Sequence, residues 1–200
     1  MALFRDLIRT IAEAEGISEM TVTGVGQYLR DAGLISKHGR GRAAAQMTIE
    51  DAVHLLIGVN ASPLAKEAPN VVRSFSELCD VEEIYPIFDD GDNLSRALHK
   101  PKNAIACLRS ILELYAGSDE DRGLIEGYNL TVTFRQPRLG LHLWLGWLLN
   151  NDEEPDEPTC ILQFNSQKQI EEQDKFFGDR TDATTITEVT LSAVGKTIRN

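Results

Sequence analysis

The stretch IAEAEGISEMTVTGVGQYLRDAGLIS, residues 11–36, predicts two helices joined by a tight turn. Gly16 is suited to end the first helix, because glycine adopts the left-handed backbone conformation of a C-cap without steric cost. Ser18 is suited to begin the second helix, because a serine oxygen accepts hydrogen bonds from the free amides of a first helical turn. Apolar residues then recur at helical spacing in the second helix: Val22, Val25, Leu29 and Ala32. The stretch therefore predicts a helix-turn-helix.

The residues that follow extend this motif to a winged helix-turn-helix. Residues 34–36 and 45–48 are predicted as two short strands, and KHGRGRAA, residues 37–44, is the basic loop between them. Thr48 then caps a predicted third helix at residues 49–60. Helix, turn, helix and a glycine-rich basic hairpin, in this order, are typical of a winged helix-turn-helix.

Charge is distributed unevenly along the 200 residues, whose formal net charge is -11. Residues 1–62 hold six basic and seven acidic side chains, whereas residues 63–200 hold 14 basic and 24 acidic ones. The asymmetry predicts two domains with different roles, a winged helix-turn-helix domain at 1–62 and an acidic domain at 63–200. An acidic chain is a poor general binder of polyanions, so nucleic acid would have to be bound through a local patch such as the basic loop.

Residues 63–200 are predicted to form an α+β domain. Three runs alternate apolar and polar residues, as half-buried strands do, and they predict a short antiparallel meander at 128–137, 139–149 and 159–166. Helices are predicted at 70–84, 94–100, 103–117, 166–178 and 186–199. The fold class of the whole chain is therefore predicted as α+β, a winged helix-turn-helix followed by an α+β domain with the meander.

The run at residues 11–36 resembles the helix-turn-helix of bacterial and phage regulators. The positions that carry the resemblance are Ala12, Gly16, Ile17, Ser18, Thr21, Val22 and Leu29, with GLI after them. The wider run GLISKHGRGRAAAQMTIEDAVHLLIGVNAS, residues 33–62, is similar to proteins of proteobacterial prophages and phage-like elements. This resemblance covers about a third of the chain. It implies a winged helix-turn-helix fold, while the ligand stays open, because many such units bind proteins instead of DNA.

If DNA is the ligand, the outward face of the second helix is the predicted reading surface. Threonine and glutamine side chains hydrogen-bond base edges in the major groove. Basic side chains contact phosphates or enter the minor groove. The predicted DNA-binding residues are Ser18, Met20, Thr21, Thr23, Gly24, Gln27, Arg30, Lys37, His38, Arg40 and Arg42.

A second interpretation of these residues stays open. Glu19 and Asp31 accompany Arg30 on the second helix, so this helix is weakly cationic for a reading helix. The basic loop can also be a solvated hairpin without a ligand. Gly26 falls on the buried side, where it is expected to permit close packing. Gly24 falls on the outward side, where it is expected to permit close approach of a groove or of a partner.

No residue pattern predicts catalysis, a cofactor or a metal. The four histidines are scattered, and the three cysteines have no CxxC spacing. DDGDN at residues 89–93 offers hard oxygen ligands, but it does not match a calcium loop and is better explained as a turn with a helix cap. The acidic run at 151–158 is expected to be solvated, with contact to a basic partner as the alternative. We therefore predict no enzyme, no cofactor and no metal site.

The leading hypothesis is a sequence-specific, DNA-binding transcriptional regulator of prophage-like type, whose partner is double-stranded DNA. A homodimer is expected, because one small unit buries too little surface for tight specific binding. The C-terminal domain is a candidate site for a second protein. The alternative function is a phage-type assembly, packaging or host-takeover adaptor whose helix-turn-helix makes protein contacts.

A cytoplasmic location is expected, without a membrane partner. No apolar run reaches the ~18 residues that a membrane span needs. The N-terminal residues MALFRDLIRT lack the apolar region and the cleavage site of a signal peptide.

Overall fold

The computed structural model describes residues 2–37, 46–86, 94, 98, 101–147, 160–165 and 182–199. Helices combine with an antiparallel sheet, so the predicted α+β class is confirmed. The helices are α1 (Phe4–Glu15), α2 (Glu19–Asp31), α3 (Ile49–Ala61), α4 (Ala68–Phe75), α5 (Ala104–Ala116), α6 (Asp119–Ile125) and α7 (Glu188–Arg199). The strands are β1 (Asp80–Pro86), β2 (Tyr128–Gln136), β3 (Gly140–Trp147), β4 (Cys160–Asn165) and β5 (Asp182–Thr187).

The five strands form one sheet in the order β1-β4-β3-β2-β5, and every neighbouring pair is antiparallel. A tight turn joins β2 to β3, and their register runs from Tyr128 opposite Trp147 to Arg135 opposite Gly140. β4 pairs with β3 on the other side. The predicted meander is therefore confirmed as β2, β3 and β4, and β1 and β5 extend it at the two edges.

One face of this sheet carries the core. Leu130, Val132 and Phe134 of β2 are fully buried, and they alternate with half-buried threonines. The buried residues that β3 and β4 add are Leu141, Leu143, Leu145, Leu162 and Phe164. The period of two in the sequence thus indicates the buried face correctly, because an antiparallel sheet can bury one face and leave the other solvated.

The three N-terminal helices form where the sequence predicts them. Gly16 ends α1 in the left-handed conformation with φ of 66°. Ser18 caps α2, and Thr48 caps α3 in a capping box with Asp51. These caps explain the helix boundaries, since each satisfies backbone groups that the helix itself leaves free.

The predicted wing strands differ from the structure. Residues 34–36 are not in a strand, because the Leu34 carbonyl accepts a hydrogen bond from His54 Nδ1 at 2.7 Å and the Ser36 amide donates to Asp51 Oδ1 at 2.9 Å. Gln46 forms an isolated antiparallel bridge with Leu3 instead. The prediction that 34–36 pairs with 45–48 is therefore wrong for the described residues. Side chains of α3 take the backbone groups that this pairing would use.

α3 lies in the middle of the molecule, and nine of its 13 residues are buried. It packs against α2, α4, α5, α7 and β2, that is, against elements from both predicted domains. A single hydrophobic core extends from Ala2 to Val194 across the predicted boundary at residue 62. The division at 62 stays a prediction from charge and composition, while the packing is continuous across it.

Two predicted helices are partly strands. The predicted helix at 70–84 ends as α4 at Phe75, and β1 occupies residues 80–86. The predicted helix at 186–199 begins as α7 at Glu188, directly after β5. The predicted helix at 103–117 is confirmed as α5. The predicted helix at 166–178 lies outside the described residues, as do most of 94–100 and the DDGDN and acidic runs.

Candidate nucleic-acid interface

Ser18 fixes the position at which α2 begins. Its Oγ accepts a hydrogen bond from the Thr21 amide at 3.1 Å and lies 2.8 Å from Thr21 Oγ1. This N-cap satisfies one of the amides that a first helical turn leaves free. Both side chains are exposed. Ser18 therefore contributes to the predicted interface as the cap that holds Thr21 at the surface.

α2 turns a row of uncharged residues toward solvent. Met20 is 84% exposed, Gln27 is also exposed, and Thr23 and Gly24 are half-buried. The buried residues of the helix are Val22, Val25, Gly26 and Leu29. The structure therefore brings most of the predicted base-reading residues together on one helix face.

Tyr28 belongs to the same face, although it is not among the site residues predicted from the sequence. Its side chain is 47% exposed and lies one helical turn after Gly24. That spacing was the signal available in the sequence. A tyrosine hydroxyl can contact phosphate oxygens, and an exposed aromatic ring also suits a protein contact.

Open space surrounds Gly24, where an added Cβ would meet no atom within 4 Å. Replacing Gly24 with alanine is expected to raise the free energy of unfolding by up to about 1 kcal/mol, because glycine inside a helix is less favourable than alanine by that amount. Urea unfolding followed by circular dichroism measures the change. A loss of stability would show that this surface is packed against another part of the chain.

Arg30 lies against α1, which corrects the prediction that it faces outward. Its guanidinium carbon is 4.8 Å from the centre of the Phe4 ring, in a cation–π contact. Its Nε is buried and has no hydrogen-bond partner among the described residues. Gly26 permits this arrangement, because a Cβ there would lie 2.5 Å from Phe4 Cζ. Arg30 is therefore a half-buried packing residue with limited access to a phosphate.

Lys37 begins the basic loop beside the last turn of α2. Its Nζ lies 3.5 Å from Asp31 Oδ1, and the two side chains are 47% and 82% exposed. Such an exposed ion pair contributes at most about 1 kcal/mol, so a phosphate can compete for the lysine. His38, Arg40 and Arg42 lie outside the described residues.

The Asp51 carboxylate holds both ends of the basic loop. Its Oδ1 accepts the Ser36 amide at 2.9 Å, and its Oδ2 accepts the Ser36 hydroxyl at 3.1 Å. Oδ2 also accepts the amide and the hydroxyl of Thr48, each at 2.9 Å. Asp51 is only 4% exposed, and the loop itself, residues 37–44, contains no acid. The loop is thus closed at its base between the end of α2 and the start of α3.

Glu50 is the acid nearest to the loop base in sequence, and its charge is compensated. Arg109 of α5 donates to Glu50 Oε2 through Nε at 2.6 Å and also through Nη2. His54 Nε2 lies 3.3 Å from Glu50 Oε1. Because Arg109 neutralises this carboxylate, Glu50 weakens the positive potential of the basic loop little.

A cavity of about 410 Å³, here called the turn pocket, lies behind the turn between α1 and α2. Its polar lining includes Glu15, Thr21, Asn60, Thr184, Thr187 and Thr190. Asn60 Nδ2 donates to Glu15 Oε1 at 3.0 Å and to the Leu56 carbonyl at 3.1 Å. Burial raises the pKa of the Glu15 carboxyl, and the hydrogen bond from Asn60 lowers it by less. The pocket therefore holds a carboxylate that its surroundings compensate poorly.

Replacing Glu15 with glutamine is expected to stabilise the protein at pH 7. Because the Glu15 pKa is raised on folding, the native state binds more protons than the unfolded state just above the ordinary glutamate pKa of about 4.3. Stability from this group is therefore present at lower pH and is lost as pH rises through the folded pKa. Thermal unfolding of wild type and Glu15→Gln should differ at pH 7 and converge near pH 4. A wild type that loses stability relative to Glu15→Gln on acidification would contradict this.

Other chemistry is limited in the part of the chain that the structure describes. No group of three or more His, Cys, Asp or Glu side chains is arranged to hold a metal ion among those residues. Cys79 is an exposed free thiol, and the Cys107 side chain is buried. Within the same residues, no helix combines the length and the apolar character that crossing a bilayer requires.

No protein-family model, no curated protein and no solved structure matches the chain. The resemblance of residues 11–36 to helix-turn-helix regulators therefore stays a prediction from the residues themselves. The geometry of α2, of Lys37 and of the residues at the base of the basic loop is the basis for a function.

Proposed function

We propose that the chain is a sequence-specific, DNA-binding transcriptional regulator of prophage-like type that acts in the cytoplasm. α2 enters the major groove, where Thr21, Thr23 and Gln27 contact base edges. The basic loop contacts phosphates through Lys37, Arg40 and Arg42, with His38 beside them. The exposed Tyr28 adds a further phosphate contact.

The observation that carries this proposal is the position of Lys37, the first residue of the basic loop, beside the last turn of α2. The exposed polar face of α2 ends at Asp31, and the loop starts at Lys37, which is 3.5 Å from Asp31. From Ala32 to Ile49 the chain contains no acid, so the loop adds positive charge and no negative charge of its own. A helix that reads bases beside a loop that binds phosphates is the division of labour in winged helix-turn-helix proteins.

A homodimer is part of the proposal. Specific protein–DNA interfaces bury about 1,000–2,500 Å² of protein surface, which is more than the outward face of one 13-residue helix and a short loop supplies. Two copies of α2 would read half-sites one helical turn apart, so the operator should be an inverted repeat with a spacing of about 10 base pairs.

Selection from a random duplex pool tests the proposal. We expect one inverted-repeat sequence to be enriched by the wild type. Gln27→Ala should lower the preference at one position of each half-site by about tenfold, because one bidentate base contact is worth about 1–3 kcal/mol. Gln163→Ala, a half-buried residue on β4, is the control and should select the same sequence as wild type. If no sequence is enriched even at low salt, the proposed function as a sequence-specific regulator is wrong.

A second candidate function is a phage-type assembly, packaging or host-takeover adaptor. The observation that favours it is the exposure of Met20 at 84% and Tyr28 at 47% on the same helix that carries Glu19 and Asp31. Exposed Met and Tyr are enriched in protein interfaces, and the two acids repel DNA. A stable complex of this face with a protein, without DNA affinity, would favour the adaptor.

A further inference from the structure

We propose that the turn pocket binds a small organic ammonium ion with a short aliphatic body. The site lies between the end of α1, the start of α2, the last turn of α3 and the β5–α7 junction. Its volume of about 410 Å³ falls in the range of ordinary small-molecule pockets.

The charge inside the pocket selects a cation. Glu15 is the charged group among the described lining residues, and no lysine, arginine or histidine accompanies it there. Its hydrogen bond comes from a neutral amide, that of Asn60. Glu15 is half-buried, and a partly desolvated carboxylate without a cationic partner is unfavourable. An ammonium ion would supply that partner in a charge-assisted hydrogen bond.

The neutral polar side chains of the pocket, those of Asn60 and the threonines, can each accept a hydrogen bond from such a ligand. Asn60 donates its two amide hydrogens to Glu15 and to the Leu56 carbonyl. Its Oδ1 therefore remains as an acceptor for a hydrogen bond from the ligand. Thr187 Oγ1 accepts a hydrogen bond from the Val189 amide at 3.3 Å. A hydroxyl oxygen has a second lone pair, so it can still accept a hydrogen bond from a ligand. An ammonium group carries three donors and no acceptor, so it complements a carboxylate and amide oxygen better than a hydroxyl compound does.

The apolar residues that line the turn pocket are the reason why we expect the ligand to have an aliphatic body. Ile17, Val59 and Ile186 add apolar surface to the same pocket. A short methylene chain can bury against them, since each buried methylene contributes about 0.8 kcal/mol. A divalent metal fits less well, because one carboxylate supplies too few hard ligands and the described residues hold no cluster of three ligating groups.

Occupancy of the turn pocket would also stiffen the turn that places α2. Ile17 lies in this turn, and Thr21 belongs both to the pocket and to the proposed DNA interface. Only this consequence rests on the proposed function. Ligand binding itself requires no DNA and can be measured without it.

Isothermal titration calorimetry with 1,4-diaminobutane, and with 1,4-butanediol as its uncharged counterpart, tests the inference. The diamine should bind the wild type about tenfold or more tightly than the diol, because a hydrogen bond to a charged group is worth more than a neutral one. Glu15→Gln should lose this preference. Glu13→Gln changes the net charge by the same amount at an exposed position two residues away, and this variant should keep the preference for the diamine.

Thermal unfolding at pH 7 verifies that Glu15→Gln is folded, and the comparison of the two ligands on the wild type needs no variant. Absence of diamine binding at millimolar concentration would overturn the inference, as would equal binding of the diol. Equal losses in Glu13→Gln and Glu15→Gln would overturn it too, because the effect would then be one of net charge. None of these results depends on DNA binding.

Discussion

Replacing Asp51 with alanine is expected to lower the free energy of unfolding by about 3 kcal/mol, which corresponds to roughly 6–12 °C in Tm for a chain of this size. Asp51 is 4% exposed and accepts four hydrogen bonds from Ser36 and Thr48. Its removal leaves the part-buried amides of Ser36 and Thr48 without this partner and also removes the capping box of α3. Urea unfolding measures the loss.

Asp121 provides the matched control for Asp51. It forms the same kind of capping box with Ser118 at the start of α6, but at an exposed position. Asp121→Ala should cost clearly less than Asp51→Ala, because water replaces lost hydrogen bonds at a surface. Equal losses would mean that Asp51 is only a helix cap and does not close the base of the basic loop.

Replacing Gly195 with alanine is expected to lower the free energy of unfolding by about 2 kcal/mol, because the added methyl group has no room in a close-packed contact between two helices. A Cβ on Gly195 would lie 2.5 Å from Tyr115 Cβ, 2.8 Å from the Tyr115 carbonyl carbon and 3.1 Å from the Ala116 amide nitrogen. Two of these atoms belong to the backbone of α5, so α7 would have to move as a whole. The gain in helix propensity, about 1 kcal/mol, is smaller than this cost.

Gly24→Ala is the natural comparison, because it makes the same chemical change in a helix where nothing lies within 4 Å. The two variants should therefore shift the midpoint of urea unfolding in opposite directions. Since α7 also contacts α1 through a hydrogen bond of 2.8 Å between Thr10 and Thr197, Gly195→Ala should loosen α1 as well. A stabilising Gly195→Ala would contradict the close approach of α5 and α7.

The sequence predicted the parts of the fold that rest on local signals. Gly16, Ser18 and Thr48 mark helix ends through their own backbone or side-chain chemistry, and the structure has those ends. The alternation in β2, β3 and β4 predicted the meander, because each of those strands buries one face.

The parts that the sequence did not predict depend on distant partners. β1 follows α4 in a run that also fits a helix, and its pairing with β4 joins residues about 80 positions apart. β5 shows four exposed residues before Ile186, so no alternation marks it as a strand. The sequence of such an edge strand does not identify it as a strand, because its conformation depends on pairing with a neighbouring strand.

In the candidate site, too, the features that depend on local spacing were predicted, and those that depend on contacts between distant residues were not. Helical spacing was enough to place Met20, Gln27 and Gly24 on the outward face of α2. The position of Arg30 was missed because it depends on Phe4, a residue of another helix. The turn pocket was missed because Glu15 and Asn60 lie 45 residues apart and meet only where the C-terminal ends of α1 and α3 come together in the fold.

The salt dependence of DNA affinity tests the central claim most directly. The enriched duplex would be titrated with wild type, with Arg40→Ala/Arg42→Ala and with Lys102→Ala/Lys196→Ala. The last variant removes the same charge from two exposed lysines outside the proposed interface. If the basic loop binds phosphates, loss of both arginines should reduce the slope of log K against log salt by about 1.8, while the lysine variant keeps the slope of the wild type. The same slope in all three proteins, or no binding at low salt, would contradict the account and leave the basic loop without a role in binding DNA.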